Sequence, residues 1–131
     1  MNATNIEATE GEKYPTDLYF TLQDKNIVAE IKVRDIKYEN WDTHLMEVAK
    51  FKSLIKDKQD YNKDIALYVC FFGEDVCYWY YSSDIKKYGI RETKHCNRTT
   101  AIYTGKRDKD CIMIPRIKGH KFIKENGLWK H

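Results

Sequence analysis

Residues 27–34 carry the strictest pattern in the chain, because apolar and charged side chains alternate along them. The odd-numbered positions of this stretch are all apolar, and its even-numbered positions include Glu30, Lys32 and Arg34. A period of two places successive side chains on opposite faces of a β-strand. The pattern therefore predicts a strand with one face toward an apolar core and with carboxylate and cationic groups gathered on the other face.

A second alternating stretch, residues 17–22, lies shortly before this strand. The four residues between the two stretches have the composition of a turn, which predicts a β-hairpin. Both apolar sets can be buried on one face only if the residue numbers of each cross-strand pair add up to an odd number. A pairing of Leu22 with Ile27 meets that condition. Asp17 and Glu30 would then be diagonal neighbours on the charged face, at roughly 7–8 Å between backbones.

Two carboxylates at this spacing can reach one hard cation between them. Oxygen ligands without sulfur favour Mg²⁺, or Mn²⁺ in its place. Lys32 would lie about one water molecule from the ion, where its amino group can orient or deprotonate a water and stabilise phosphate charge. These residues predict hydrolysis of a phosphodiester. The alternative is a solvated hairpin face whose cross-strand ion pairs contribute about 0.2–1 kcal/mol each.

The rest of the chain predicts an α/β or α+β layer arrangement. Asp42 or Thr43 can cap a helix over about 43–58. The stretch 65–72 is apolar on both faces, as expected of a central strand covered on both sides. The other predicted elements are a short helix over 4–12, a strand over 76–81, a helical turn over 84–88, a basic loop over 89–98, and a last hairpin of strands 100–104 and 111–117.

Length and composition favour one globular domain spanning 1–131. The chain has 131 residues, 42% of them hydrophobic, which suffices for one core. It contains no apolar run near the roughly 18–20 residues of a membrane span and no basic-then-apolar leader, which predicts a cytoplasmic, intracellular protein. The four cysteines lack the paired spacing of a zinc site and are expected to be reduced thiols.

Charge divides the chain into an acidic part and a basic part. Residues 86–131 contain 13 Lys and Arg against 4 Asp and Glu, whereas residues 1–85 contain 10 against 16. A basic region apart from an acid cluster is typical of a polyanion-binding face with a separate metal site, although a solvated lysine-rich surface gives the same count. The candidate contacts to a DNA backbone are Arg34, Lys86, Lys87, Arg91, Lys94, Arg98, Lys106 and Arg107.

The order of these features resembles a known family. Pro15-Thr16-Asp17, then a hairpin, then Glu30-Ile31-Lys32, a helix and a buried strand resemble the PD-(D/E)xK nuclease superfamily, and especially small nucleases of bacteriophages and mobile elements. The resemblance covers about residues 5–117, and its short motif gains specificity from the order of the elements. It implies a restriction-endonuclease-like fold: an α/β, mixed α+β core with a central mixed β-sheet flanked by helices.

The resemblance also implies roles for individual residues. Asp17 and Glu30 would bind the metal, the main-chain carbonyl of Ile31 would add a ligand, and Lys32 would assist the water. Lys50, on the predicted helix, matches a polar residue that points at the site in many members.

The chain departs from the family's pattern in two places. Thr16 separates the proline from Asp17, and the segment before Tyr14 is shorter than the helix that members usually have there. Whether Glu7 or Glu10 joins the site therefore stays open.

Together these features predict a Mg²⁺-dependent deoxyribonuclease with DNA as its partner. Its substrate could be a duplex, a branch, a flap or a single strand. A homodimer or a larger nuclease assembly would bring the two sites that a cut in both strands requires. The alternative is a catalytically inactive DNA-binding or protein-interaction module on the same fold.

Overall fold

The computed structural model describes residues 4–8, 18–34, 41–97 and 106–131, with the backbone alone at 4–8, 95–97 and 106–107. The elements along the chain are β1 (Thr4–Ala8), β2 (Leu18–Leu22), β3 (Lys25–Arg34), β4 (Thr43–Glu47), α1 (Val48–Asp60), β5 (Ile65–Phe72), β6 (Val76–Tyr81), α2 (Ser82–Tyr88), β7 (Ile90–Asn97), β8 (Lys106–Pro115), a 3-10 helix (Arg116–Lys118), β9 (His120–Glu125) and β10 (Leu128–Lys130).

The strands form two sheets. The large sheet has seven strands in the order β1-β2-β3-β5-β6-β9-β10, and the small sheet has three in the order β4-β8-β7. β3 and β5 are parallel, and the other pairs are antiparallel. This is the mixed α+β architecture that the sequence predicts. β5 lies inside the large sheet between β3 and β6, which confirms the predicted central strand.

The β2–β3 hairpin is confirmed, but its register differs from the predicted one. Gln23 and Asp24 both have positive φ, 49° and 62°, and they form a two-residue turn that pairs Leu22 with Lys25. Such turns match the right-handed twist of the strands, so two residues replace the predicted four. The predicted pairing of Leu22 with Ile27 is therefore wrong by two positions. A shift of two leaves every side chain on its predicted face.

The two faces of the large sheet bury two apolar clusters. On the face of Val28 and Glu30, α1, α2 and the small sheet contribute Leu54, Ile85 and Ile114, all fully buried. The opposite face of the sheet holds the other cluster, which includes buried Ala29 and Leu67 and no residue of α1 or α2. The charged face of β3 is thus covered by the helices. The sequence predicts instead that only the face with the odd-numbered side chains packs against a core.

The helix predicted over 43–58 begins later than expected. Thr43–Glu47 is a strand that pairs with β8, and α1 runs from Val48 to Asp60. His44 and Met46 are both buried, which is a period of two rather than 3.6. The side chain of His44 also makes a hydrogen bond with the Tyr80 hydroxyl.

Two further predictions are wrong in the described residues. Residues 4–8 form a strand that pairs with β2 rather than the start of a helix, and the predicted basic loop 89–98 is largely β7. β8 pairs with β7 and β4, and the other strand of the predicted last hairpin, residues 100–104, lies outside the described residues. In both segments a partner strand supplies the backbone hydrogen bonds.

The C-terminal hairpin of β9 and β10 is absent from the sequence prediction. Its turn contains Asn126 and Gly127, both with positive φ. Asn-Gly is a strong local hairpin signal, so this element could have been predicted. Neither helix in the described part of the chain is long and apolar enough to cross a membrane.

Cysteine reactivity tests the packing of the large sheet. Cys70 and Cys77 are free thiols buried in the two clusters, and burial raises the pKa of Cys70 to about 11 and that of Cys77 to about 12. At pH 7.5 both stay protonated and hidden, so we expect alkylation by iodoacetamide to be at least about 100-fold slower than in denaturant. Peptide mass mapping measures the alkylation rate of each cysteine. Equal rates for folded and unfolded protein would contradict this packing.

Candidate active site

Glu30 lies on β3, next to the central strand β5, with its side chain toward α1. It is 7% exposed. Its Oε1 lies 3.7 Å from the ammonium nitrogen of Lys50, which projects from the first turn of α1 and is 52% exposed at its side chain. A buried carboxylate is costly unless a cation or hydrogen-bond donors accompany it. The sequence predicts both residues in one site, and the structure brings them together.

Lys32 follows Glu30 on the same face of β3. Two residues along a strand are about 6.6 Å apart. Lys32 is exposed and makes no ion pair with any residue that the structure describes. Its ammonium group therefore faces solvent at the edge of the buried region that holds Glu30, where a ligand can reach it.

Arg34, the third charged residue of this face, joins the two sheets. Its Nη2 donates a hydrogen bond to the carbonyl oxygen of Leu45 in β4, at 2.7 Å, and lies 3.5 Å from the Tyr68 hydroxyl. That hydroxyl donates to the same Leu45 carbonyl at 3.0 Å, and burial raises the pKa of Tyr68 well above its ordinary value. Arg34 thus has a structural role, and its contact with DNA stays a prediction.

The other predicted DNA-binding residues that the structure describes lie on α2, β7 and β8. Lys86 and Lys87 are exposed on α2. The guanidinium group of Arg91 on β7 lies 3.9 Å from a carboxylate oxygen of Asp110. The ammonium group of Lys94 lies 3.1 Å from a carboxylate oxygen of Glu92, two residues earlier on the same strand. Arg98 and the side chains of Lys106 and Arg107 lie outside the described residues.

A buried ion pair at the start of α1 has no counterpart in the sequence prediction. The ammonium group of Lys109, buried on β8, lies 3.0 Å from a carboxylate oxygen of Glu47, the residue before α1. The pair borders a cleft of about 390 Å³ between α1 and the β7–β8 strands. Lys109 reaches this position because β8 pairs with β4, about 60 residues earlier in the sequence. No local sequence pattern predicts that contact.

The donor chemistry around Glu30 fits a hard cation. The carboxylate of Glu30 and the main-chain carbonyl of Ile31 are oxygen donors of the kind Mg²⁺ and Mn²⁺ prefer. Within the described ranges, no three or more His, Cys, Asp or Glu side chains come together. Asp17 and Glu10 lie outside the described residues, and Glu7 is described by its backbone in β1 alone.

Comparisons with known proteins identify the architecture. No family model and no curated protein sequence matches the chain. Among solved structures, it is similar to Hjc, a Holliday junction resolvase from the archaeal hyperthermophile Archaeoglobus fulgidus. The match has a TM-score of 0.55 at 11% identity and covers 88% of this chain and 75% of that chain. The fold is restriction-endonuclease-like. In this fold, Glu30 and Lys32 lie on a strand beside the central one, and Lys50 lies on the helix that covers it.

Proposed function

We propose that this chain is a metal-dependent DNA nuclease, of the small type found in bacteriophages and mobile elements. One observation carries the proposal: a buried glutamate on the sheet of a nuclease fold, with a helical lysine at 3.7 Å and a second, exposed lysine two residues along the same face. A carboxylate desolvated at the border of a core contributes little to stability, even when it is paired with a cation. The arrangement suits a site that binds a cation and a phosphate.

Asp17 is the proposed second acid. Asp17 lies outside the described residues and comes directly before Leu18 in the sequence. Leu18 pairs with Ala29, the residue before Glu30. The role of Asp17 as the second metal ligand is what the family resemblance implies.

Each residue of the site has a distinct task in this proposal. Asp17, Glu30 and the Ile31 carbonyl would hold Mg²⁺ or Mn²⁺, which supplies Lewis-acid activation of the phosphodiester and of water. The Lys32 ammonium orients the attacking water and stabilises negative charge that develops on the phosphate. Lys50 holds the Glu30 carboxylate in place from α1. The exposed lysines of α2 would hold the DNA backbone, so DNA affinity should fall steeply with added salt.

Cleavage of a panel of DNA molecules tests this function. The panel contains a four-way junction, a flap, a blunt duplex and a single strand, each incubated with Mg²⁺ or with EDTA. We expect Mg²⁺-dependent cutting of at least one member and salt-sensitive binding with either addition. Binding without cutting of any member would contradict the nuclease and support an inactive DNA-binding module. The mass of the protein in solution shows whether two copies bring two sites.

Lys50→Met tests the link between α1 and the site. Loss of the ammonium group removes the ion pair with Glu30, and changes around a metal ligand typically cost 10–100-fold in metal affinity or activity. We expect a fall of about that size in the cleavage rate, measured as a function of Mg²⁺ concentration. Lys52→Met, an exposed lysine two residues further along α1, is the matched control. Equal rates for the two variants would contradict the proposed role of Lys50.

A further inference from the structure

Two tyrosines and a lysine form an aromatic shelf at the far end of α1. Tyr61 follows the last residue of the helix and is 48% exposed. Its ring centroid lies 5.6 Å from that of Tyr19 on β2, with the planes tilted by 48°. The ammonium nitrogen of Lys63 lies 4.7 Å from the centroid of the Tyr19 ring. The shelf thus combines an accessible aromatic ring with a nearby cation.

The shelf is anchored to the covered face of the large sheet through Tyr19. The Tyr19 hydroxyl donates a hydrogen bond at 3.3 Å to Asp57, an α1 residue only 3% exposed. Tyr19 pairs with Val28, and both pack in the cluster beneath α1. Since Glu30 is two residues beyond Val28, Tyr19 and Glu30 are diagonal neighbours on one face, about 7–8 Å apart. The shelf therefore lies beside the proposed catalytic site.

Local acids are already engaged by other groups. Asp60 forms an ion pair with Lys56, and a carboxylate oxygen of Asp64 accepts the backbone N–H of Asn26 at 2.8 Å. Lys63 itself forms no ion pair with any residue that the structure describes. A cation next to an exposed ring is the combination that binds single-stranded nucleic acid, with the ring stacking on a base and the cation contacting the backbone.

We propose that Tyr61, backed by Tyr19, stacks on an unpaired DNA base while Lys63 contacts a neighbouring phosphate. This inference rests on the proposed nuclease function and names its substrate class. A base within continuous duplex is stacked on both sides and presents no free face to Tyr61. The substrate is therefore DNA with unpaired nucleotides near the cut, such as a branch, a flap or a single strand.

The length of α1 limits how far that base lies from the cut. From Lys50 to Tyr61 the helix rises about 16 Å. At 3.4 Å per nucleotide, the spacing of a stacked strand, a straight path of this length corresponds to about five nucleotides. The stacked base is therefore within about five nucleotides of the scissile phosphate.

Fluorescence of 2-aminopurine tests the stacking without relying on cleavage. The probe base is placed at successive positions in the unpaired strand of a flap, and binding is measured in EDTA. We expect quenching at one or two consecutive positions. Stacking on an aromatic side chain contributes about 1–3 kcal/mol per base, so Tyr61→Ala should weaken flap binding by about 5- to 150-fold. Tyr61→Phe, which keeps the ring, should bind as the wild type does.

The blunt duplex separates stacking from general loss of affinity. Tyr61→Ala should leave duplex binding unchanged. Equal weakening on flap and duplex, or no weakening on either, would overturn the stacking proposal. If the wild-type protein quenches the probe but cuts no DNA with Mg²⁺, the nuclease proposal fails and the stacking site remains. If it cuts DNA but shows no quenching, only the stacking site fails.

Discussion

Glu30→Gln is expected to reduce Mg²⁺-dependent DNA cleavage by at least about 100-fold. Glutamine keeps the size and polarity of the buried side chain but removes the negative charge that the proposed cation requires. Removal of one group that stabilises charge in a transition state typically lowers kcat by 10²–10³. The measurement is the single-turnover rate on the best substrate of the DNA panel, with thermal unfolding recorded for the same samples.

The fold should tolerate this substitution. Lys50 is half-exposed, so its ammonium group remains hydrated when its partner becomes neutral, and the free energy of unfolding should change by less than about 1 kcal/mol. Glu125→Gln is the matched control, because Glu125 also pairs with a lysine, Lys130 at 3.5 Å, but on the exposed hairpin of β9 and β10. A Glu30→Gln protein that unfolds normally and cuts DNA at the wild-type rate would contradict the proposed site.

Lys32→Met is expected to lower kcat by about 10²–10⁴-fold. A positioned side chain that transfers a proton or orients a water contributes about that factor. Since Lys32 is exposed, its loss should affect neither the fold nor the affinity for Mg²⁺. Rates at saturating DNA and Mg²⁺ give kcat, and calorimetric titration with Mn²⁺ gives the affinity for the metal.

Lys25→Met provides the control on the same strand, since Lys25 is exposed at the start of β3, away from Glu30. Its kcat should equal that of the wild type. Lys32→Arg keeps the positive charge but has a planar, weakly hydrated group that does not give up its proton. Full activity in Lys32→Arg would limit Lys32 to an electrostatic role, and full activity in Lys32→Met would exclude it from the reaction.

The faces of the β2–β3 hairpin could be predicted from sequence, but its register could not. Burial requires that Phe20 and Ile27 share a face of the sheet. This allows only registers in which the residue numbers of each cross-strand pair add up to an odd number. The choice among those registers depends on the turn, where Gln23 and Asp24 both adopt positive φ. Neither is glycine or asparagine, the residues that commonly mark such a turn, so composition favoured a longer loop.

The small sheet was missed because its pairing is long-range. Leu45, Val48 and Phe51 fit a helical stripe, and this local pattern favours one helix from residue 43. β4 instead pairs with β8, about 70 residues away, and that contact overrides local preference. The Leu45 carbonyl then accepts hydrogen bonds from Arg34 and Tyr68 and so connects the two sheets. No short sequence motif predicts this connection.

The candidate site divides between local and tertiary signals. The alternating pattern placed Glu30 and Lys32 on one face of a strand, and the structure confirms that placement. The position of Lys50 followed from the family resemblance, and the structure puts it 3.7 Å from Glu30. The shelf of Tyr19 and Tyr61 depends on where α1 ends over β2, so it required the tertiary structure.

Anomalous X-ray scattering from crystals grown with Mn²⁺ tests the central claim most directly. We expect one strong peak about 2.0–2.3 Å from a carboxylate oxygen of Glu30 and from one of Asp17, with Lys32 nearby on the same face. The peak should vanish in Asp17→Asn crystals. No peak at Glu30, or a metal bound elsewhere with the two carboxylates pointing apart, would contradict the proposed nuclease site.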